Sequence, residues 1–163
     1  MSDRKSGATQ GRIKTLKPRA DGFAEDAASE RFDAVPPLDA ILQREYRNAA
    51  GGKGADPAIL DELATHGFSS AELFALVVPR RTLARRRGTG VRLSKEESDR
   101  AVRLARITAV AERIFGDPRK AHRWLRKPSR TLDGVTPISL LKSETGSQLV
   151  EQTLYRIEYG MLA

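Results

Sequence analysis

Apolar residues recur along this chain at three- and four-residue intervals, in bursts that proline or glycine closes, and nowhere in sustained alternation. Pro36-Pro37 precedes Leu38, Ile41, Leu42, Tyr46 and Ala49, a stripe that predicts an amphipathic helix stopped by Gly51-Gly52. Asp56-Pro57, an N-cap with proline at the first helical position, predicts a second helix with Ile59, Leu60, Leu63 and Ala64 on one face before Gly67. Ser69 and Glu72 have the spacing of a capping box, opening a short helix that carries Leu73, Phe74 and Val77 and breaks at Pro79. Residues 80–87 are helix-compatible and are closed by Gly88-Thr89-Gly90. A second capping box, Ser94 with Glu97, starts a long helix in which Val102, Ala105, Ile107, Ala109, Val110 and Ile114 extend the pattern to Phe115, a spine joining two modules. Asp117-Pro118 starts another helix, with Ala121, Trp124 and Leu125 on one side and Pro128 beyond its end. Thr136-Pro137 begins a short one with Ile138, Leu140 and Leu141. The last helix is expected from about Gly146 to Glu158, on Val150, Leu154 and Ile157, with Gly160 as its stop. The expected fold class is all-α.

Composition narrows this picture. A chain of 163 residues with 39% hydrophobic content holds one domain or two small ones, and 6% aromatics argue against a large β-rich core. With no cysteine there is no disulfide framework and no Cys-ligated zinc, as a reducing cytosol permits. The longest bulky apolar run, residues 73–78, is too short to cross a bilayer, and no signal-peptide core follows the basic N-terminus. A cytoplasmic protein without membrane contact is expected. Residues 1–35, with seven basic and six acidic residues and no sustained period, are expected to be a disordered tail. Two readings of it stay open: a solvated leader, or a basic arm adding phosphate contacts through Arg12, Lys14, Lys17 and Arg19.

The charge is unevenly placed. The chain carries a formal +8, and residues 80–106 alone hold ten basic and three acidic side chains, with no acid between Arg80 and Arg92. Concentrated charge of this kind is an electrostatic footprint for a polyanion, whereas a solvated helix face normally mixes signs. On a helical wheel Leu83 and Ala84 fall on a docking side, while Arg81, Thr82, Arg85 and Arg86 cover the opposite one. That division suits a helix-turn-helix, with residues 70–77 bracing a second helix whose outer face enters the major groove. Arg81, Thr82, Arg85 and Arg86 are therefore expected toward base edges, and Arg80, Arg87 and Arg92 toward phosphates. A plain soluble face or a site for an acidic partner is the competing reading. One such module binds weakly, so a dimer on two half-sites about 34 Å apart is the expected form. Catalysis has little room: His66 and His122 are far apart, and no nucleophile elbow, P-loop or dinucleotide fingerprint is present. No catalytic residue, metal ligand or cofactor is expected, and His66 beside Gly67 reads as a partner for a helix C-terminus.

Residues 79–86, with the segment 93–106 (Leu-Ser-Lys-Glu-Glu-Ser-Asp-Arg-Ala-Val-Arg-Leu-Ala-Arg), resemble the Xre-type helix-turn-helix of Xre/MbcA/ParS antitoxins. Phe115-Gly116-Asp117, Trp124-Leu125, Thr136-Pro137, Leu140-Leu141, Glu144-Thr145-Gly146, Val150-Glu151 and Arg156-Ile157-Glu158-Tyr159-Gly160 are similar, in order, to the toxin-binding domain of that family. The resemblance runs over about residues 38–163 and is densest from Pro79 onward. Residues 1–35 lie outside it; it implies a helix-turn-helix domain at 36–106, and a toxin-binding and dimerisation domain at 107–163. It further implies a non-catalytic type II antitoxin that represses its own operon by binding operator DNA, acts as a homodimer, and neutralises a RES-domain toxin that consumes NAD or uses it for ADP-ribosylation. By the same resemblance Tyr159, Gly160, Met161, Leu162 and Ala163 are the residues expected to reach the toxin's pocket, with Trp124, Leu125 and Glu144 in the supporting module. A short apolar end with a free carboxylate suits a cationic cleft. From the residues alone Trp124 and Leu125 also read as core, Glu144 as an acid at a helix N-terminus, and the last three residues as a frayed end. A helix-turn-helix regulator without a toxin partner is the alternative function.

Overall fold

The computed structural model describes residues 37–161; the expectations for the tail, and for Leu162 and Ala163, fall outside the described residues. Helix α1 (Leu38–Ala50) buries Leu38, Ile41 and Leu42, but the next position on its inward stripe is Glu45 rather than Tyr46, which is 50% exposed. The 3.6-residue period brings positions seven apart back to the same face, so Glu45 follows Leu38 inward and polar neighbours satisfy it. Its carboxylate accepts from Arg44 Nε at 2.8 Å and Asn48 Nδ2 at 3.0 Å. Arg44 also forks onto Glu62 with two 2.6 Å bonds, tying α1 to α2 (Ile59–Thr65). Asp56 caps the turn ahead of α2, accepting from Ala58 N–H at 2.9 Å, but regular helix begins only at Ile59, and Ala64, expected on the buried face, is exposed.

Helix α3 (Ser70–Leu76) opens with both arms of its capping box closed, and Leu73, Leu76, Val77 and Val78 are buried. After Pro79 comes α4 (Arg80–Thr89), ended by Gly90 at φ 67°. Helix α5 (Lys95–Phe115) starts with the second closed capping box and buries Ala101, Leu104, Ala105, Ile107, Thr108 and Ala111. It packs against α1, α6 (Pro118–Arg126) and α8 (Glu144–Glu158), the role of a spine expected from its length. The expected division at residues 106 and 107 falls in the middle of this helix.

Asp117 caps α6 by accepting from Arg119 N–H at 2.7 Å, and Ala121, His122 and Leu125 are buried. The 3-10 turn Arg130–Leu132 was not foreseeable from apolar spacing; it is made by local bonds, Leu132 N–H to Ser129 O at 3.0 Å and Asp133 N–H to Arg130 O at 3.3 Å, with Ser129 N–H to Val135 O at 3.1 Å closing the loop around it. Short α7 (Pro137–Leu140) follows, with proline at its first position and no side-chain bond from Thr136. Helix α8 begins two residues earlier than its apolar stripe indicates, because Ser143 Oγ accepts from Gly146 N–H at 3.0 Å and caps it. Gly146 is thus inside the first turn. A Cβ there would lie 2.2 Å from the Leu140 carbonyl oxygen, so only glycine lets the end of α7 meet the start of α8. Among the described residues there is no strand.

Candidate functional site

Helix α4 docks through Leu83, its one buried residue. At about 100° per residue Arg81 and Arg85 each stand about 160° from Leu83, Thr82 and Ala84 about 100° and Arg86 about 60°. Exposure follows these angles: Arg81, Ala84 and Arg85 are exposed, Thr82 is half-buried, and Arg86 is drawn inward. The outward face centres on Arg81 and Arg85, and neither side chain makes a hydrogen bond or ion pair with any described residue; nor does Arg80. An open depression of about 500 Å³ lies against this face, lined by Arg81, Thr82 and Arg85.

Arg86 differs from the expectation that placed it with the base-facing group. Its side chain is 15% exposed, with Nε 2.7 Å from Glu97 Oε2 and one terminal nitrogen donating to the Arg92 carbonyl at 2.9 Å. At 60° from Leu83 its guanidinium meets the start of α5 rather than solvent. Arg87 pairs with Asp61 at 2.7 Å, and Arg92 donates to the Gly54 carbonyl at 2.9 Å; both remain on the rim, exposed, with their long stems laid along the protein.

The glutamates of the two capping boxes each hold an arginine from another element. Glu97 caps Ser94 N–H at 2.8 Å and pairs with Arg86. Glu72 caps Ser69 N–H at 2.8 Å and takes Arg126 Nε at 2.7 Å and a second nitrogen at 3.0 Å. Burial pushes the Glu72 carboxyl up, but the bonds from Arg126 and Ser69 outweigh it and hold the group below the usual glutamate range. Arg126 also donates to the Gly67 carbonyl at 2.8 Å, lies 5.6 Å over the Phe68 ring, and approaches His122 Nδ1 at 2.9 Å. The α3 brace and α6 are thereby clamped together. Composition gives no hint of this, since nothing links positions 72 and 126 in sequence.

In the second half Tyr159 and Met161 are exposed, at 71% and 64%, and Gly160 turns the chain at φ 65°. Leu125 is fully buried and presents no surface for a partner to touch; the core reading accounts for it. Trp124 is half-buried, its ring 5.8 Å from Phe115. Glu144 lies on the first turn of α8 and accepts from Arg103 Nε at 2.8 Å, the first of three parallel pairs that continue with Arg106 to Glu151 and Arg113 to Glu158. On α8 two apolar surface residues escaped sequence reasoning, Leu149 and Tyr155, at 45% and 39% exposure. They lie about 100° and 140° from Val150, off the buried stripe and flanking Tyr159; that displacement was the available signal. A second basic run was also overlooked. Residues 118–130 hold six basic side chains and no acid, and Lys120, Arg123, Lys127 and Arg130 are exposed with no ion pair among the described residues.

The arrangement is that of a helix-turn-helix half that shares a spine with a second helical module. Residues 47–106 match the model of the antitoxin Xre-like helix-turn-helix domain, and residues 110–160 match that of the antitoxin Xre/MbcA/ParS C-terminal toxin-binding domain. A protein named Antitoxin Xre from Photorhabdus laumondii is 30% identical over 121 residues, covering 72% of this chain and 82% of that protein. Another Antitoxin Xre, from Pseudomonas putida, is 43% identical over 84 residues, 52% of this chain and 53% of its own length. A protein named Prs ADP-ribosylating antitoxin, from a Sphingobium species, is 34% identical over 80 residues, 44% of this chain and 50% of its length. The matched segment thus spans about half the length of the latter two. The chain belongs to the Xre/MbcA/ParS antitoxin family. Among the described residues no helix is long and apolar enough to cross a membrane, and no group of three or more His, Asp or Glu is placed to hold a metal ion.

Proposed function

We propose that this chain is the antitoxin of a type II toxin-antitoxin pair, binding and neutralising a RES-domain toxin and repressing its own operon through α4. The observation that carries the reading is the ordered match of a helix-turn-helix domain and a toxin-binding domain on one α-helical chain. In this reading residues 36–106 bind operator DNA, residues 107–163 bind the toxin and dimerise, and the protein acts in the cytoplasm without catalysis or cofactor. The name Prs ADP-ribosylating antitoxin supports a toxin that uses NAD for ADP-ribosylation. The exposed apolar residues Leu149 and Tyr155 on α8, with Tyr159 and Met161 just beyond it, support docking there by offering apolar surface. Expression of the neighbouring gene alone is expected to arrest growth, and co-expression of this chain to relieve the arrest and co-purify the two proteins. A neighbour whose expression is harmless would refute the toxin reading. Deletion of residues 159–163 is expected to abolish neutralisation while leaving operator binding in place; unaltered rescue of growth would exclude the α8 end as the neutralising element.

A further inference from the structure

We propose that α4 reads two G·C pairs about two base steps apart in each half-site, Arg81 taking one and Arg85 the other. The inference rests on the DNA-binding part of the function proposed above. Arginine presents two parallel donors that match the O6 and N7 acceptors of guanine in the major groove, a pairing that other base edges do not offer in the same geometry. Of the six arginines between 80 and 92, three have guanidinium groups engaged by the protein itself: Arg86 on Glu97, Arg87 on Asp61, and Arg92 on the Gly54 carbonyl. Arg80 stands at the first position of the helix, beside the turn, where phosphate is the nearer partner. Arg81 and Arg85 remain, exposed, unengaged among the described residues, and centred on the face opposite Leu83.

Four residues of helix advance about 6 Å along its axis. Stacked bases advance about 3.4 Å each. Two arginines at i and i+4 along the groove therefore meet pairs about two steps apart. Thr82 lines the same depression from its half-buried edge, too short to replace either arginine. The unneutralised state of Arg81 and Arg85 fits this use, because a guanidinium already paired within the protein would have to break that bond to reach a base.

Selection from a pool of duplexes with a randomised centre, using the full chain at low and at physiological salt, tests the inference. The recovered sequences are expected to carry two G·C pairs at that spacing. Replacing either guanine by 7-deazaguanine, which keeps Watson-Crick pairing but removes the N7 acceptor, is expected to weaken binding about tenfold. Arg81→Ala should remove the sensitivity at one of the two positions, and Arg85→Ala at the other. The modified base leaves the protein untouched, so that arm is independent of variant folding. Enriched sites without the guanine pair, 7-deazaguanine without effect, or variants that keep both sensitivities would overturn the guanine readout while DNA binding stood. Retention of no duplex at either salt would overturn the DNA-binding reading itself and this inference with it.

Discussion

Whether a guanidinium on α4 reaches solvent or a neighbouring helix depends on its angle from Leu83 and on what stands beside it: Arg80 and Arg86 both lie about 60° from Leu83, on opposite sides, and Arg86 meets the start of α5 whereas Arg80 is exposed. Arg86 illustrates the consequence. Its partner Glu97 is 8% exposed and already committed to capping Ser94, so removing the arginine leaves a nearly buried carboxylate short of a countercharge. Arg86→Ala is expected to lower stability by about 1–3 kcal/mol in urea unfolding, and to weaken DNA binding only through that loss. Wild-type stability combined with abolished DNA binding would instead make Arg86 a base reader. Arg85→Ala should do the reverse, leaving the urea midpoint unchanged within error while weakening operator binding and flattening base preference. The helical wheel separates Leu83 from Arg81 and Arg85 as the structure does, but it sets Ala84, which is exposed, on the docking side and treats the outer half of the helix as uniform. What it lacked was the position of α5, whose capping glutamate waits beside one edge of that half.

At the scale of the helix, capping chemistry was the most legible signal in the chain. Ser69 with Glu72, Ser94 with Glu97, and Asp117 before Pro118 stand at the starts of α3, α5 and α6 as their spacing indicates. Where the apolar stripe alone set the boundary, as at α8, the start was placed two residues late, and buried Glu45 was passed over because a charged residue does not register as core. The cap at Glu72 carries a pH signature. Its folded carboxyl titrates below the usual range, so as pH falls the unfolded chain takes up the proton first. The contribution is therefore complete above the ordinary glutamate value, about 4.3, and is lost as pH drops through the lower folded value. Thermal midpoints measured from neutral pH into this acidic range should fall less steeply for Glu72→Gln than for the parent chain; parallel slopes would show that Glu72 does not supply the dependence. Gly146→Ala tests the other kind of helix start. Adding a Cβ 2.2 Å from the Leu140 carbonyl forces α7 and α8 apart, with an expected cost of about 1–3 kcal/mol. An unchanged melting midpoint would mean the junction relaxes freely.

The two matched segments meet within one helix, and this decides how the whole molecule unfolds. Helix α5 supplies buried residues to both: Ala101 and Leu104 lie in the first matched segment, Ala111 in the second, and Ile107 and Thr108 between them. Three further couplings cross the junction. Phe68 meets His122 edge-on at 5.0 Å, Arg126 clamps Glu72, and the arginines at 103 and 106 pair with Glu144 and Glu151, seven apart on α8. These pairs are partly exposed and screened by solvent, so the spine and the Arg126 clamp dominate. Among the described residues this packing leaves no seam, so neither half is expected to melt before the other. Trp124, the sole tryptophan, reports on the second half by fluorescence, while helical circular dichroism reports on every helix. The two probes should give coincident denaturation curves, the mark of a single cooperative transition. Arg126→Ala, which leaves Glu72 without its bidentate partner, should shift both curves together by about 1–3 kcal/mol. If it moved the fluorescence curve alone, the two modules would be separable units sharing a helix without sharing stability, and occupancy of the toxin-binding half would then have no packed route to the brace of α4.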